Sequence, residues 1–325
     1  MHAPARTAAE TPGTEDRSVS PSQVHKSDPD EVYLTRWHRT GPDAFRITAS
    51  WPETHAFYLV DQACDPLLLC ETVRQTFPLL CHAAYDVPVG HQLIWERFSY
   101  RIEAHARPGQ ELGRDVELHV ECHDITYRGL RPAALSMRFV ITRGGQRVAT
   151  ADTRFTIQTP AVYRRLRGEQ ADAPRVMAEA PPAPTPLPHR LAGRARAADV
   201  VLAPSPPGAY DACGSVRRLR VDTGHPVLFD HAVDHVPGML LLEAAHQATR
   251  LSHGPGRARI LALECAFYRY VELDAPCAII TAPLDAPAGD ARRLSVTALQ
   301  DDQVRFSASV TYADPQPAAA DRTAA

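Results

Sequence analysis

The sequence predicts an α+β protein made of two tandem copies of one unit, in which an antiparallel sheet wraps a single central helix. Three observations carry that expectation. Two apolar stretches of helical length, DPLLLCETVRQTFPLLCHAAY (Asp65–Tyr85) and PGMLLLEAAHQATRL (Pro237–Leu251), lie in the two halves of the chain. Each is followed by several strand-like segments separated by turn residues. Both carry the pattern Glu-x-x-basic-Gln, as Glu71–Gln75 and Glu243–Gln247, which marks an internal repeat.

The elements follow in order. Residues 1–23 are small, polar and dotted with proline, and are expected to be a disordered tail. The first block, 24–170, opens with the strand pair EVYLTRWHRT and FRITASWP around a Gly-Pro turn. Its helix has Pro66 near the N-terminus, where a missing N–H costs nothing. QLIWERFSYRIEA, DVELHVECHDITY, LSMRFVITR, a Gly-Gly turn and RVATADTRFTIQ then read as strands. Residues 171–198 contain APPAPTPLPHR and RAR, and are expected to form an extended, semi-rigid Pro/Ala linker. The second block, 199–315, repeats the order with SVRRLRVD, the second helix, RILALECAFYRYVEL, CAIITAPLDA, RRLSVTALQ and VRFSASVTYAD. Residues 316–325 read as a second tail. Alternation in DVELHVECHDI and VRFSASVTY predicts sheets with one wet face.

Composition narrows the function. A net charge of -3 offers no basic field for nucleic acid or an anionic membrane surface. No run approaches the roughly 18 apolar residues of a membrane helix. The N-terminal residues lack the apolar core of a signal peptide. Seven cysteines without a CxxC pair fit reduced thiols in a cytoplasm better than disulfides or a zinc site.

On a helix, positions i, i+3 and i+4 share a face. Glu71, Arg74 and Gln75 therefore line up, as do Glu243, His246 and Gln247, each set a polar stripe on an apolar body. A carboxylate beside a cation in such surroundings can serve as a base, and the basic residue one turn on can hold a phosphate or carboxylate. The bland alternative is a solvated intrahelical pair worth a few tenths of a kcal/mol. Asp230-His231 and Asp234-His235 recur at i+4 before the second helix. They read as caps and loop hydrogen bonds, as substrate contacts, or as metal ligands, in which case convergent geometry is required. Pro237-Gly238 lets the chain turn tightly into that helix, whose first N–H groups can receive a carbonyl or anionic oxygen.

HPVLFDHAVDHVPGMLLLEAAHQA (His225–Ala248) resembles the signature of the A-factor biosynthesis, or AfsA-type, hot-dog family. VHKSDPDEVYLTRW and DPLLLCETVRQTFPLLCHAAYDVPVGHQ resemble that family's first repeat. The resemblance covers nearly all of the chain between the tails. It implies a tandem double hot-dog whose repeats pair as an intramolecular pseudo-dimer. It also implies transfer of a β-ketoacyl group from acyl carrier protein, or CoA, to a hydroxyl of dihydroxyacetone phosphate. That ester is the committing step toward a γ-butyrolactone-type signal, and no metal or organic cofactor is implied. Glu243 is then the expected base and Glu71 its counterpart. Arg74 and His246 are candidates for the phosphate, with Gln75, Gln247, His231, His235 and Gly238 as further substrate contacts. The chain departs from the family at His246, where arginine is expected, which leaves the acceptor open. Hot-dog dehydratases place a catalytic histidine eight residues before the Pro of Pro-Gly. Phe229 stands there, which disfavours a dehydratase or thioesterase. A non-catalytic acyl-binding relative is the remaining alternative.

Overall fold

A computed structural model describes residues 16–60, 63–103, 113–205, 216–254, 258–285 and 290–314. The expected tail at 316–325 lies outside them, as do the first fifteen residues. The described residues form two compact units, one from those within 1–55 and 68–168, the other from those within 56–67 and 169–325.

In the first unit an antiparallel sheet runs in the order Arg17–Ser18, Leu34–Gly41, Ala44–Ser50, Asp115–Arg128, Arg131–Arg143, Gln146–Gln158, Gln92–Ile102. Residues 16–23 are thus not wholly a tail: Arg17 and Ser18 pair with Trp37 and Arg36, and Arg17 lies 5.2 Å over the Trp37 ring. Gly144 and Gly145 turn the chain between paired Arg143 and Gln146, both with positive φ (57° and 75°), a conformation glycine adopts freely.

The central helix α1 spans Pro66–Ala84. Leu68, Cys70, Val73, Leu79, Leu80 and Cys81 are fully buried around its circumference, as expected of a helix apolar on every face. Strand side chains close on it. Phe77 stacks on Phe155 at 5.0 Å, Trp51 Nε1 donates to Thr72 Oγ1 at 2.9 Å, and Thr76 meets Met137 at 3.9 Å. Each large apolar side chain buried this way contributes about 1.5–3 kcal/mol. Helix α2 (Pro160–Arg167) ends the unit, capped by Thr159, which accepts from Val162 N–H.

The second unit repeats the plan with the order Arg259–Phe267, Gln303–Ala313, Arg292–Gln300, Ala278–Leu284, Val216–Leu219, Leu202–Ala203. Its central helix α4 spans Gly238–His253 and packs on four of these strands, Gln303–Ala313, Arg292–Gln300, Ala278–Leu284 and Leu202–Ala203. Every residue from Met239 to Arg250 is buried.

The segment 171–198 departs from the expected extended linker. Helix α3 (Ala173–Glu179) forms there because Asp172 accepts from Arg175 N–H and a proline fills the first turn. Val176, Ala192 and Arg194 are buried within the second unit, and Leu187 N–H donates to Leu202 O. Prolines stiffen this stretch without keeping it in solvent. Among the described residues, no helix is long and apolar enough to cross a membrane.

Candidate functional site

Each central helix carries a buried glutamate inside a charged cluster. On α1, Glu71 is 1% exposed. Arg74 Nη2 donates to Glu71 Oε1 at 2.7 Å and Arg74 Nε to Oε2 at 2.8 Å. Gln75 Nε2 donates to Oε1 at 3.0 Å, and Lys26 Nζ lies 3.3 Å from the same oxygen. The intrahelical pair is therefore real but not solvated. The Glu71 side chain is sealed while that of Arg74 remains 21% exposed. Burial alone would raise the Glu71 carboxyl. Arg74 and Lys26, with the hydrogen bonds from Arg74 and Gln75, outweigh it and hold the carboxyl down at about 2.

Gln75 does a second job. Its Oε1 accepts from Tyr33 N–H at 3.0 Å and its Nε2 donates to Glu31 O at 2.7 Å, so it straps the 3-10 turn Pro29–Glu31 to the helix. Glu31 in turn accepts from the Tyr33 hydroxyl at 2.9 Å and lies 2.9 Å from His55 Nε2. Burial and the neighbouring Glu31 push the Tyr33 phenol up, so it stays a donor.

On α4, Glu243 and its neighbours are more deeply enclosed. Glu243, His246 and Gln247 have no exposed surface. Arg194 grips Glu243 with two parallel bonds, Nε to Oε1 at 2.5 Å and Nη2 to Oε2. Gln247 Nε2 donates to the same Oε1. Arg194 Nη1 donates to Phe57 O at 2.7 Å and lies 3.5 Å from Asp65 Oδ2. Asp65 also accepts from Arg250 Nη2 at 2.7 Å, and His246 Nδ1 lies 3.8 Å from its Oδ1. Burial would raise the Asp65 carboxyl, but Arg250, Arg194 and His246 hold it well below the usual carboxylate range. Gln247 repeats the strap of Gln75: Val201 N–H donates to its Oε1 at 3.0 Å and its Nε2 donates to Asp199 O at 2.8 Å.

The predicted site residues therefore divide. Glu71, Arg74 and Gln75 meet in one cluster, and Glu243, His246 and Gln247 lie in the other, though His246 faces Asp65 rather than Glu243. His231 and His235 bond to their own neighbours, with Nδ1 at 2.5 Å from Asp230 Oδ1 and 2.6 Å from Asp234 Oδ1 respectively. The loop hydrogen bonding weighed for them is what these contacts display. Gly238 opens α4 after Pro237, and among the described residues no side chain caps that end.

Sequence reasoning missed Lys26, Asp65, Arg194 and Arg250. A signal for two of them lay in the repeat. Lys26 stands five residues before Glu31, and Arg194 five before Asp199, the acids whose backbone carbonyls the glutamines hold. Aligning the glutamine straps would have found both cations. Asp65, Glu243 and His246 offer ligand atoms within 4.8 Å of one another. The two carboxylates already face the guanidiniums of Arg194 and Arg250, which a cation would have to displace, so the donor set suits an ion-pair network.

A family model described as the A-factor biosynthesis hotdog domain matches residues 7–159 and 177–313. The chain is 41% identical over 292 residues to a 2-oxo-3-(phosphooxy)propyl 3-oxoalkanoate synthase of Streptomyces virginiae, spanning 87% of this chain and 94% of that one. It is 37% identical over 288 residues to a protein of the same name in Streptomyces coelicolor, spanning 87% and 88%. Among solved structures, the 12:0-ACP thioesterase from Umbellularia californica superposes with a TM-score of 0.51 at 10% identity, over 85% of this chain and 95% of that one. At that identity the likeness bears on the fold alone.

Proposed function

Because the chain belongs to the A-factor biosynthesis hotdog family, with two hot-dog repeats in tandem, we propose that it is an acyltransferase joining a β-ketoacyl group to a hydroxyl of dihydroxyacetone phosphate. The ester is the 2-oxo-3-(phosphooxy)propyl 3-oxoalkanoate for which its relatives are named, the committing intermediate of a γ-butyrolactone-type signal. The acyl group arrives as a thioester on acyl carrier protein or CoA. The acceptor hydroxyl oxygen attacks the thioester carbon, the C–S bond breaks, and the hydroxyl proton passes by way of a base to the departing thiolate.

The observation that carries this reading is the sealed cluster on α4. It sets fixed charges in an apolar interior, where electrostatic stabilisation of a tetrahedral intermediate is strongest. Glu243 is the proposed base. Its Oε1 accepts from both Arg194 and Gln247, whereas its Oε2 accepts, among the described residues, from Arg194 alone and keeps a lone pair for the hydroxyl proton. Glu71, held at about 2, instead anchors Arg74 and Lys26. Arg74, with part of its side chain in solvent, is placed to meet an anion. His246 lies beside the same pocket of charge as Glu243, and the free start of α4 at Gly238 suits the thioester carbonyl. Gln75 and Gln247 hold the glutamates in position.

The test is a mass-spectrometric endpoint assay with a β-ketoacyl thioester on acyl carrier protein, with and without dihydroxyacetone phosphate, for wild type and Glu243→Gln. An acceptor-dependent ester that Glu243→Gln fails to make supports the reading. Acceptor-independent release of free β-keto acid overturns it in favour of a thioesterase. Loss of water from a β-hydroxyacyl control points to a dehydratase, and tight binding without turnover to an acyl-binding protein.

A further inference from the structure

The two central helices place their cations differently. Three residues after its glutamate, α1 has Arg74, and seven residues after it, Pro78. At the matching positions α4 has His246 and Arg250. The arginine of the second repeat thus lies one turn further along the same helix face, since i+3 and i+7 share a stripe.

Arg250 is built into its place. It is 7% exposed, and its Nη2 is held by Asp65 at 2.7 Å. Its stem passes against Gly193, whose φ of +72° is a glycine conformation. A Cβ there would lie 2.5 Å from Arg250 Cδ and 3.1 Å from its Nε, so a side chain at this turn would make the arginine shift from its place. The residue before Arg194 is therefore shaped by Arg250.

One edge of that guanidinium is unspent. Arg194 directs Nε and Nη2 to Glu243 and Nη1 to Phe57 O. Arg250 Nη1, by contrast, is buried and meets no acceptor among the described residues. A buried charged donor left unpaired is costly, and such orphans mark where an ion or ligand completes the bonding. Asp65 collects Arg250, Arg194 and His246 on one carboxylate, while Glu243 takes the other two donors of Arg194, so Arg250 is the guanidinium of the cluster with a donor to spare.

We propose that Arg250 is the phosphate-binding residue of the second unit, its Nη1 edge taking an oxygen of the acceptor's phosphomonoester while Asp65 keeps Nη2. The proposal rests on acyl transfer to a phosphorylated acceptor, as set out above. A planar guanidinium with one edge anchored and one open is suited to phosphate, and its position replaces the arginine that the second repeat lacks at 246.

The test compares dihydroxyacetone phosphate with dihydroxyacetone as acyl acceptors, for wild type, Arg250→Gln and Arg250→Lys. Wild type is expected to prefer the phosphorylated acceptor in kcat/KM. Arg250→Gln should reduce that preference by roughly 10- to 100-fold, the worth of a charge-assisted hydrogen bond, chiefly through KM for the phosphorylated acceptor. Arg250→Lys keeps a cation against Asp65 and should fall between. A preference equal to wild type in Arg250→Lys and Arg250→Gln overturns the subsite and leaves the acyltransferase standing. Equal losses on both acceptors also overturn it, because they mark a purely structural ion pair. If wild type acylates neither acceptor, the proposed function fails instead. The subsite is then read by calorimetric titration with dihydroxyacetone phosphate, where heat with wild type that weakens in Arg250→Lys and is lost in Arg250→Gln supports it, and no heat with wild type or heat unchanged in Arg250→Lys sinks it. Should Arg250→Gln not fold, the lysine variant decides alone.

Discussion

The clusters on α1 and α4 share a skeleton and differ in how they are closed. Both have a glutamine that holds its glutamate and straps the turn five residues after a cation. On α1 the bidentate arginine, Arg74, comes from the helix itself and stays partly in solvent. On α4 it comes from 49 residues upstream, fully buried, and the helix position one turn on holds histidine. In place of a local pair whose arginine reaches solvent, the second unit has a sealed network that joins Asp65, Arg194 and Arg250. A sealed network is where charge can act on chemistry, and also where losing one partner costs most.

Four experiments bear on the difference between the two clusters. The largest effect is expected on turnover. Glu243→Gln should lower single-turnover acyl transfer by roughly 100- to 10,000-fold, the range for losing a general base, with Glu71→Gln well short of that. Equal losses would erase the division of labour between the repeats. Next comes stability. Arg194→Met leaves Glu243 buried without its cation and should cost about 3–5 kcal/mol in denaturant unfolding. Lys26→Met should cost about 1–3 kcal/mol, because Arg74 still holds Glu71. The reverse order would mean that Arg194 is incidental to Glu243.

The third experiment varies pH. The Glu71 carboxyl lies at about 2 in the folded chain against an ordinary 4.5, so it contributes stability fully above the ordinary value. That contribution, roughly 3 kcal/mol, drains away as pH falls from about 4.5 toward about 2. Glu71→Gln should flatten the acid-unfolding profile across that window. A residual slope should remain, because the Asp65 carboxyl is held low as well. An unchanged profile would show that Arg74 and Lys26 do not hold the carboxylate. Smallest is the strap. Gln75→Leu and Gln247→Leu each strand a buried backbone N–H and C=O, costing about 1–3 kcal/mol. Hydrogen exchange should quicken at Tyr33 in the first variant and at Val201 in the second, and exchange spread evenly over either unit would argue against a local strap.

Much of this was legible in the chain because it is periodic. Strand alternation, turn glycines and two apolar helices with the same Glu-x-x-basic-Gln stripe follow from spacings of two and of three to four residues. The face shared by Glu243, His246 and Gln247 is such a result. The destination of their side chains is not, and His231 and His235 turned to adjacent aspartates although spacing alone allowed them other roles. The segment 171–198 was read from its prolines as a spacer, and composition cannot show that Arg194 within it is buried against Glu243.

The repeat, the family likeness, the central helices and the polar residues that share a helix face are legible in the chain alone, because local geometry depends on near neighbours along it. Only the tertiary structure decided that Glu243 is paired, that Asp65 and Arg194 are its company, and that Arg250 has an edge to spare. Those contacts join residues far apart in sequence, and a buried charge takes whichever partner the folded backbone brings within reach.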